Sequence, residues 1–165
     1  MVFMNPKAKL FKFVGYNIYA ESGEIVFKYS IEFYNCESIN FSEKIILPRT
    51  SSNLNKKDIH KFLESLSLIL GISYYKLYCP PTLSIFFKLS NEEADFWNII
   101  YRKGLGEFLY RNNIDSDKLA KFSYIKKQVE PFRFPTNGNI ILGIGGGKDS
   151  IVALELLKNF KVSLF

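Results

Sequence analysis

Residues 139 to 165 read NIILGI, GGGKDS, IVALELLKNF and KVSLF: a short apolar run, three glycines with a polar tail, an apolar helical segment and a further apolar run. Few folds accept that order. An isoleucine-rich run too short for a helix suits a buried strand, and glycines directly after it allow a tight turn into a helix. Strand, turn, helix and strand in so short a span is a β-α-β beginning, with a parallel strand pair that needs cover on both faces. Standing alone, such a unit leaves strand edges and sheet faces bare. The expectation is therefore that the chain is an N-terminal piece of a longer protein, or one half of a split one completed by another chain.

The preceding residues carry a different signature. KLFKFVGYNIY and EIVFKYSIEFY flank the polar turn AESGE, which predicts a hairpin. Ile25, Phe27, Tyr29, Ile31 and Phe33 alternate onto one face, with Glu24, Lys28 and Glu32 on the other. INFSEKIILP predicts a third strand ended by Pro48. Three antiparallel strands, apolar on one face, need a cover. Ser52 or Asn55, capping KKDIHKFLESLSLILG, predicts the covering helix, with Ile59, Phe62, Leu63, Leu66, Leu68, Ile69 and Leu70 as its apolar face and Gly71 as its end. ISYYKLY and TLSIFFKLS, divided by Cys-Pro-Pro, both read as strands. SNEEADFWNIIYRK opens a helix after Ser90 with an acidic first turn, and Gly104 and Gly106 bend or break its continuation. Residues 112 to 138 are polar, contain Pro131 and Pro135, and read as a linker. The expected architecture is an α+β N-terminal domain, an antiparallel sheet with helices, over residues 1–137. The opening β-α-β unit of an α/β nucleotide-binding domain follows over 138–165.

Composition narrows the setting. At 47% hydrophobic and 16% aromatic the chain has ample material for a core. No apolar run approaches a membrane span of about 20 residues, and MVFMNPKAKLFKF lacks a secretory h-region and cleavage site, so a cytoplasmic protein is expected. Cys36 and Cys79 stand apart, with no CxxC and no histidine at ligand spacing. They read as two buried free thiols, and no metal site is expected from them. The net charge of +6 comes from scattered lysines rather than a basic stripe. That distribution is no nucleic-acid stripe and fits an anionic small molecule equally well, so charge alone decides nothing and nucleic acid is not the expected partner. His60, the sole histidine, reads as a surface residue of the first helix rather than as a general base.

Three phosphate-loop patterns can be tried on the glycines. G-x-x-x-x-G-K-[ST] fails twice, at Leu142 and at Asp149; G-x-G-x-x-G fails at Lys148, where its third glycine belongs. The S-G-G-x-D-S loop of ATP-cleaving adenylating enzymes matches Gly145-Gly146-Gly147-Lys148-Asp149-Ser150 in all but the opening serine. The physical logic is direct. Residues without side chains let successive N–H groups converge on one anion, and the following helix adds its positive end. Ser150 can donate to a phosphate oxygen, Lys148 adds charge, and Asp149 can cap the helix or orient metal-bound water. The plainer reading is a glycine-rich turn with Asp149 as an ordinary N-cap.

GGGKDS, together with FKFVGYNIYAESGEIVFKYSI, GISYYKLYCPP and YRKGLGEFLYRNNI, resembles the UDP-N-acetylmuramoyl-L-alanyl-L-glutamate epimerase family, an ATP-dependent branch of the pyrophosphatase-loop (PP-loop) enzymes, whose nucleotide domain is adenine nucleotide alpha hydrolase-like. The resemblance implies ATP and Mg²⁺ as cofactors and a UDP-muramoyl dipeptide as substrate. It further implies conversion of a terminal L-glutamate to D-glutamate by carboxylate adenylation, for peptidoglycan synthesis. It places Gly145, Gly146, Gly147, Lys148, Asp149 and Ser150 on the phosphates, and makes Lys76, Tyr75 and Glu107 candidate catalytic groups, with Tyr74 beside them. Each also has an ordinary reading: half-buried strand aromatics for the tyrosines, solvated positions for Lys76 and Glu107. Two other classes stay open. One is another loop-bearing synthase that thiolates, amidates or forms a modified base in tRNA; the other is a non-catalytic module binding a nucleotide sugar or a protein.

Overall fold

The alternating run at residues 24–33 lies inside a sheet, and it sets the rest of the first unit. In the computed structural model, residues 7–47, 56–126 and 138–165 are described. The chain divides into two units, Met1–Gln128 and Val129–Phe165. Strands β1 (Ala8–Tyr19), β2 (Glu24–Phe33) and β3 (Ser38–Ile46) form an antiparallel meander. The predicted inward face is the observed one: Ile25, Phe27, Tyr29, Ile31 and Phe33 are all buried. On the opposite face Lys12 pairs with Glu32, and Lys44 with Glu24.

The sheet is not purely antiparallel as expected. A short strand β4 (Leu83–Ser84) runs parallel to β1, pairing Phe11 with Leu83 and Lys12 with Ser84, so the order is β3-β2-β1-β4. Only those two residues of TLSIFFKLS enter the ladder. The remainder keeps the alternation through Ile85 and Phe87, both less exposed than their neighbours, to the buried Leu89, but hydrogen-bonds as no strand. Within β1 the register slips between Phe13, opposite Tyr29, and Gly15, opposite Lys28. One extra residue on β1 makes this a β-bulge, and it moves the following side chains to the other face.

Helix α1 (Lys56–Tyr75) covers the sheet, and here the sequence reading needs correction. Its suggested caps, Ser52 and Asn55, lie outside the described residues. Gly71 does not end the helix; ISYY continues it to Tyr75 instead of starting a strand. A Cβ on Gly71 would sit 2.4 Å from Phe13 Cε1 and 3.1 Å from Tyr29 Cε1. The glycine is there because helix and sheet touch at that point. Leu63 and Leu68 are buried, whereas Phe62 and Ile69 are exposed, so the apolar stripe is narrower than predicted.

Helix α2 (Asn91–Lys103) starts as read. Ser90 Oγ accepts from Glu93 N at 3.2 Å while Ser90 N donates to Glu93 Oε2 at 2.9 Å, the reciprocal capping box. It stops before Gly104, and α3 (Gly106–Arg111) follows. Beyond a 3₁₀ turn (Ser116–Lys118), Leu119, Ala120 and Phe122 are buried. Within the expected linker, Leu119, Ala120 and Phe122 therefore belong to the core; the expected boundary and both linker prolines fall outside the described residues. Phe122 meets Phe13 and Tyr101, and Phe122 N donates to Asn98 Oδ1 at 2.8 Å.

The core is aromatic, so its hydroxyls need partners. Tyr29 donates to Ser67 O at 3.1 Å and Tyr101 to Leu68 O at 2.7 Å, both carbonyls of α1. The two cysteines are free thiols, but Cys36 is exposed rather than buried, at a positive φ of 66° just past β2. Among the described residues no helix is long and apolar enough to cross a membrane.

Gly71→Ala tests the helix–sheet contact. Alanine favours a helix over glycine by up to about 1 kcal/mol, while overpacking two buried rings costs about 1–3 kcal/mol. The clash should win, lowering the denaturation midpoint of the chain; a raised midpoint would show that Phe13 gives way freely.

Candidate phosphate loop and the polar groups of the first unit

The second unit, taken by itself, is a parallel pair, β5 (Asn139–Leu142) and β6 (Lys161–Leu164), joined by α4 (Lys148–Leu157). Main-chain bonds extend the ladder: Phe165 N to Leu142 O at 3.2 Å and Ile144 N to Phe165 O at 2.9 Å. Ile141, Ile151, Val152, Leu156, Leu164 and Phe165 are exposed.

Between β5 and α4 lie the three glycines. Gly146 has φ +75°, a conformation that disfavours any side chain, and a Cβ built on Gly145, Gly146 or Gly147 meets nothing within 4 Å. Backbone conformation thus demands glycine only at 146. At 145 and 147 the missing side chains leave bare main chain where there is room for one. Gly147 is the N-cap, extended at φ −79° and ψ 159°, and no side chain caps the helix. The first amides of α4 therefore have no side-chain acceptor, and the helix end is electropositive.

Asp149 stands at the second helical position, not at the cap, so its reading as an ordinary N-cap does not hold. Asp149 and Lys148 are both exposed. Ser150 Oγ donates to Gly147 O at 2.8 Å, which braces the turn; reaching a phosphate would mean rotating away from that carbonyl. Uncapped amides, a positive helix end and a lysine suit a phosphate. A single carboxylate beside them fits a divalent cation that takes its other ligands from phosphate and water. Among the described residues no three His, Cys, Asp or Glu side chains gather as a metal cluster.

In the first unit Tyr75 is fully buried. Its hydroxyl donates to Pro80 O at 3.3 Å and accepts from Ala120 N at 3.1 Å, and burial pushes its pKa up to about 12. Tyr74 donates to Glu43 Oε2 at 2.6 Å; that hydrogen bond, then burial, lifts it to about 12 as well. Lys76 is exposed, and Glu107 is exposed beside Arg111, 2.8 Å away. Among the described residues no hydrogen bond or ion pair joins Lys76, Tyr75 and Glu107.

A different polar group does assemble. Tyr16 on β1 lies 2.6 Å from His60 Nδ1 on α1. One turn further, Glu64 shares Lys61 with Glu93 of α2. The helical spacing of His60 and Glu64 is legible in the sequence. Tyr16 is not, because only the bulge in β1 turns it to this side.

The family model of the MurL N-terminal domain matches residues 2–165. Over 153 residues, 90% of this chain, the sequence is 33% identical to a protein of Micromonospora sp. named UDP-N-acetyl-alpha-D-muramoyl-L-alanyl-L-glutamate epimerase, of which 34% is covered. A Salinispora tropica protein of the same name is 33% identical over 90% of this chain and 33% of its own length. One from Xanthomonas oryzae pv. oryzae is 29% identical over 156 residues. The chain thus spans about a third of the length of these curated relatives. No solved structure matches it.

Gly147→Val separates a phosphate cradle from a mere turn. The backbone at 147 accepts a side chain and space is open, so the stability cost should be only that of valine in place of glycine at an N-cap, about 1 kcal/mol. Binding of pyrophosphate to the intact protein should weaken at least about tenfold, a loss of about 1.4 kcal/mol. Unchanged affinity in isothermal titration would mean that the loop only turns the chain.

Proposed function

The chain belongs to the MurL N-terminal domain family, and from that premise we propose that it contributes to an ATP-dependent enzyme that epimerises the terminal L-glutamate of UDP-N-acetylmuramoyl-L-alanyl-L-glutamate, a step in making peptidoglycan precursors. The observation that carries this reading is the uncapped start of α4 behind Gly145, Gly146 and Gly147, in a chain whose named relatives are epimerases of that dipeptide. On this reading the strand, loop and helix of residues 138–165 open a pyrophosphatase-loop nucleotide domain.

The chemistry explains why a phosphate site belongs in an epimerase. A C–H bond next to a carboxylate resists deprotonation, because the new negative charge forms beside an existing one. Bound ATP supplies the remedy, carboxylate activation as an adenylate, which removes the charge and makes the carbonyl an electron sink. The residues of this chain hold and orient. The amides of Gly146, Gly147 and Lys148 would hold the phosphates, the Lys148 ammonium would offset their charge, and Ser150 would turn its hydroxyl from Gly147 O to a phosphate oxygen. Asp149 would be the carboxylate that shares Mg²⁺ with them. Lys76 and Glu107, both facing solvent, are open to the charged groups of a substrate, whereas Tyr75 holds the turn at Pro80 and the segment at Ala120.

The test is exchange in deuterated water. The intact protein, given the UDP-muramoyl dipeptide, Mg²⁺ and ATP, should place deuterium on the glutamate α-carbon, and should not do so without ATP. Ser150→Ala should slow that exchange by about 10²-fold, the usual effect of losing one placed donor. Exchange that ignores ATP, or none at all, would sink the assignment.

A further inference from the structure

Folding gathers, in the first unit, cations that the sequence leaves scattered. Arg102 and Lys103 stand in the last turn of α2, and Lys121 lies beyond the 3₁₀ turn. All three line one cleft of about 560 Å³, formed between α2 and the segment from Ser116 to Lys121. That volume is in the range of small-ligand sites. Arg102 and Lys103 have an ordinary task as well, since cations there offset the negative end of the helix. Lys121 has none: its side chain is exposed and forms no hydrogen bond or ion pair among the described residues.

The rest of the lining suits a ligand with an apolar body and a charged end. Ile99 and the buried Tyr101, Leu119 and Ala120 supply the apolar part. Asn98 supplies an oriented donor. Its Oδ1 accepts from Phe122 N at 2.8 Å, which fixes the amide and leaves Nδ2 with no acceptor among the described residues. Asp95 and Asp117 also line the cleft. Asp117 holds Arg102 at 2.5 Å, but both side chains are largely exposed, and such a pair contributes little, so an anion can take Arg102 from it. Three cations against two carboxylates leave the cleft positive. The neighbouring α1–α2 cleft is the opposite case. Glu64, Glu92 and Glu93 line it with Lys61, which already pairs with Glu64 and Glu93, so it repels an anion.

We infer that the cleft at Asn98, Arg102 and Lys121 binds the nucleoside diphosphate end of the UDP-linked substrate; this rests on the epimerase reading above. A diphosphate matches the planar fork of Arg102 and the point charges of Lys103 and Lys121. The base and ribose take the apolar lining, and Asn98 Nδ2 donates to an oxygen of the ligand. The dipeptide end of such a substrate also carries carboxylates, but it has no apolar body to fill the lining.

The experiment is isothermal titration of UDP into the intact protein. Wild type should bind UDP, and Asn98→Asp and Lys121→Ala should each weaken it by about tenfold or more, the effect of losing a hydrogen bond to a charged group. Asn98→Asp keeps an acceptor for Phe122 N and sets a negative charge in the cleft. Gly147→Val, in the glycine loop, should leave UDP affinity unchanged, and L-alanyl-L-glutamate should not displace UDP. No UDP binding, binding indifferent to both cleft variants, or displacement by the dipeptide overturns the inference. Deuterium exchange by the wild type would then leave the epimerase reading standing. If Asn98→Asp does not fold, Lys121→Ala decides, because that side chain touches no other group of the fold. UDP binding that depends on the cleft, in a protein showing no exchange, overturns the epimerase reading and leaves a nucleotide site.

Discussion

At Gly71, about one turn before its end, α1 meets the sheet with no side chain between them, and much of the first unit depends on that contact. A methyl group there would fall 2.4 Å from Phe13, so the depth at which α1 settles is set by hydrogen at one position. Because the helix sits so low, the hydroxyls of Tyr29 and Tyr101 reach its carbonyls at Ser67 and Leu68. Large rings can then be buried without stranding their own hydroxyls, which would cost about 1–3 kcal/mol each. The same helix carries His60 to Tyr16 and Glu64 to the edge of the α1–α2 cleft.

The two units obey different rules. The first is closed: β1 and β2 lie inside the sheet, α1 covers it, and Leu119 to Phe122 seal the rim. The second, described alone, has a two-stranded parallel ladder and a short, largely apolar helix, and it exposes apolar side chains such as Ile141 at 74% and Phe165 at 82%. Its order is local, made by main-chain hydrogen bonds and by the turn at Gly146. The features that suit a phosphate are also local. An electropositive helix start and a bare glycine backbone arise from a few consecutive residues.

That difference explains what could be read in advance. Signals confined to neighbouring residues translated directly: the alternation of β2, the serine and glutamate bracketing the start of α2, the stop before Gly104, and the strand–glycine–helix order at residues 139–157. Signals that depend on distant partners did not. ISYY looks strand-like because tyrosine and isoleucine favour sheets, but Tyr75 continues the helix because its ring and hydroxyl fit among Phe11, Tyr101, Pro80 and Ala120. Residues 119–122 looked like linker because their neighbours are polar, although Phe122 fills a gap between Phe13 and Tyr101.

The sequence by itself determined the α+β character of the first unit, the inward face of β2, the capped start of α2 and the glycine loop with its helix, since each is set by periodicity, caps or backbone freedom within a few residues. Tertiary structure alone decided that Gly71 is a contact rather than a stop, that β4 joins the sheet in parallel, and that Tyr16 faces His60. A bulge shows no mark in the alternation of its own strand. Its register is chosen by the partner strand and the covering helix, which the chain meets only once folded.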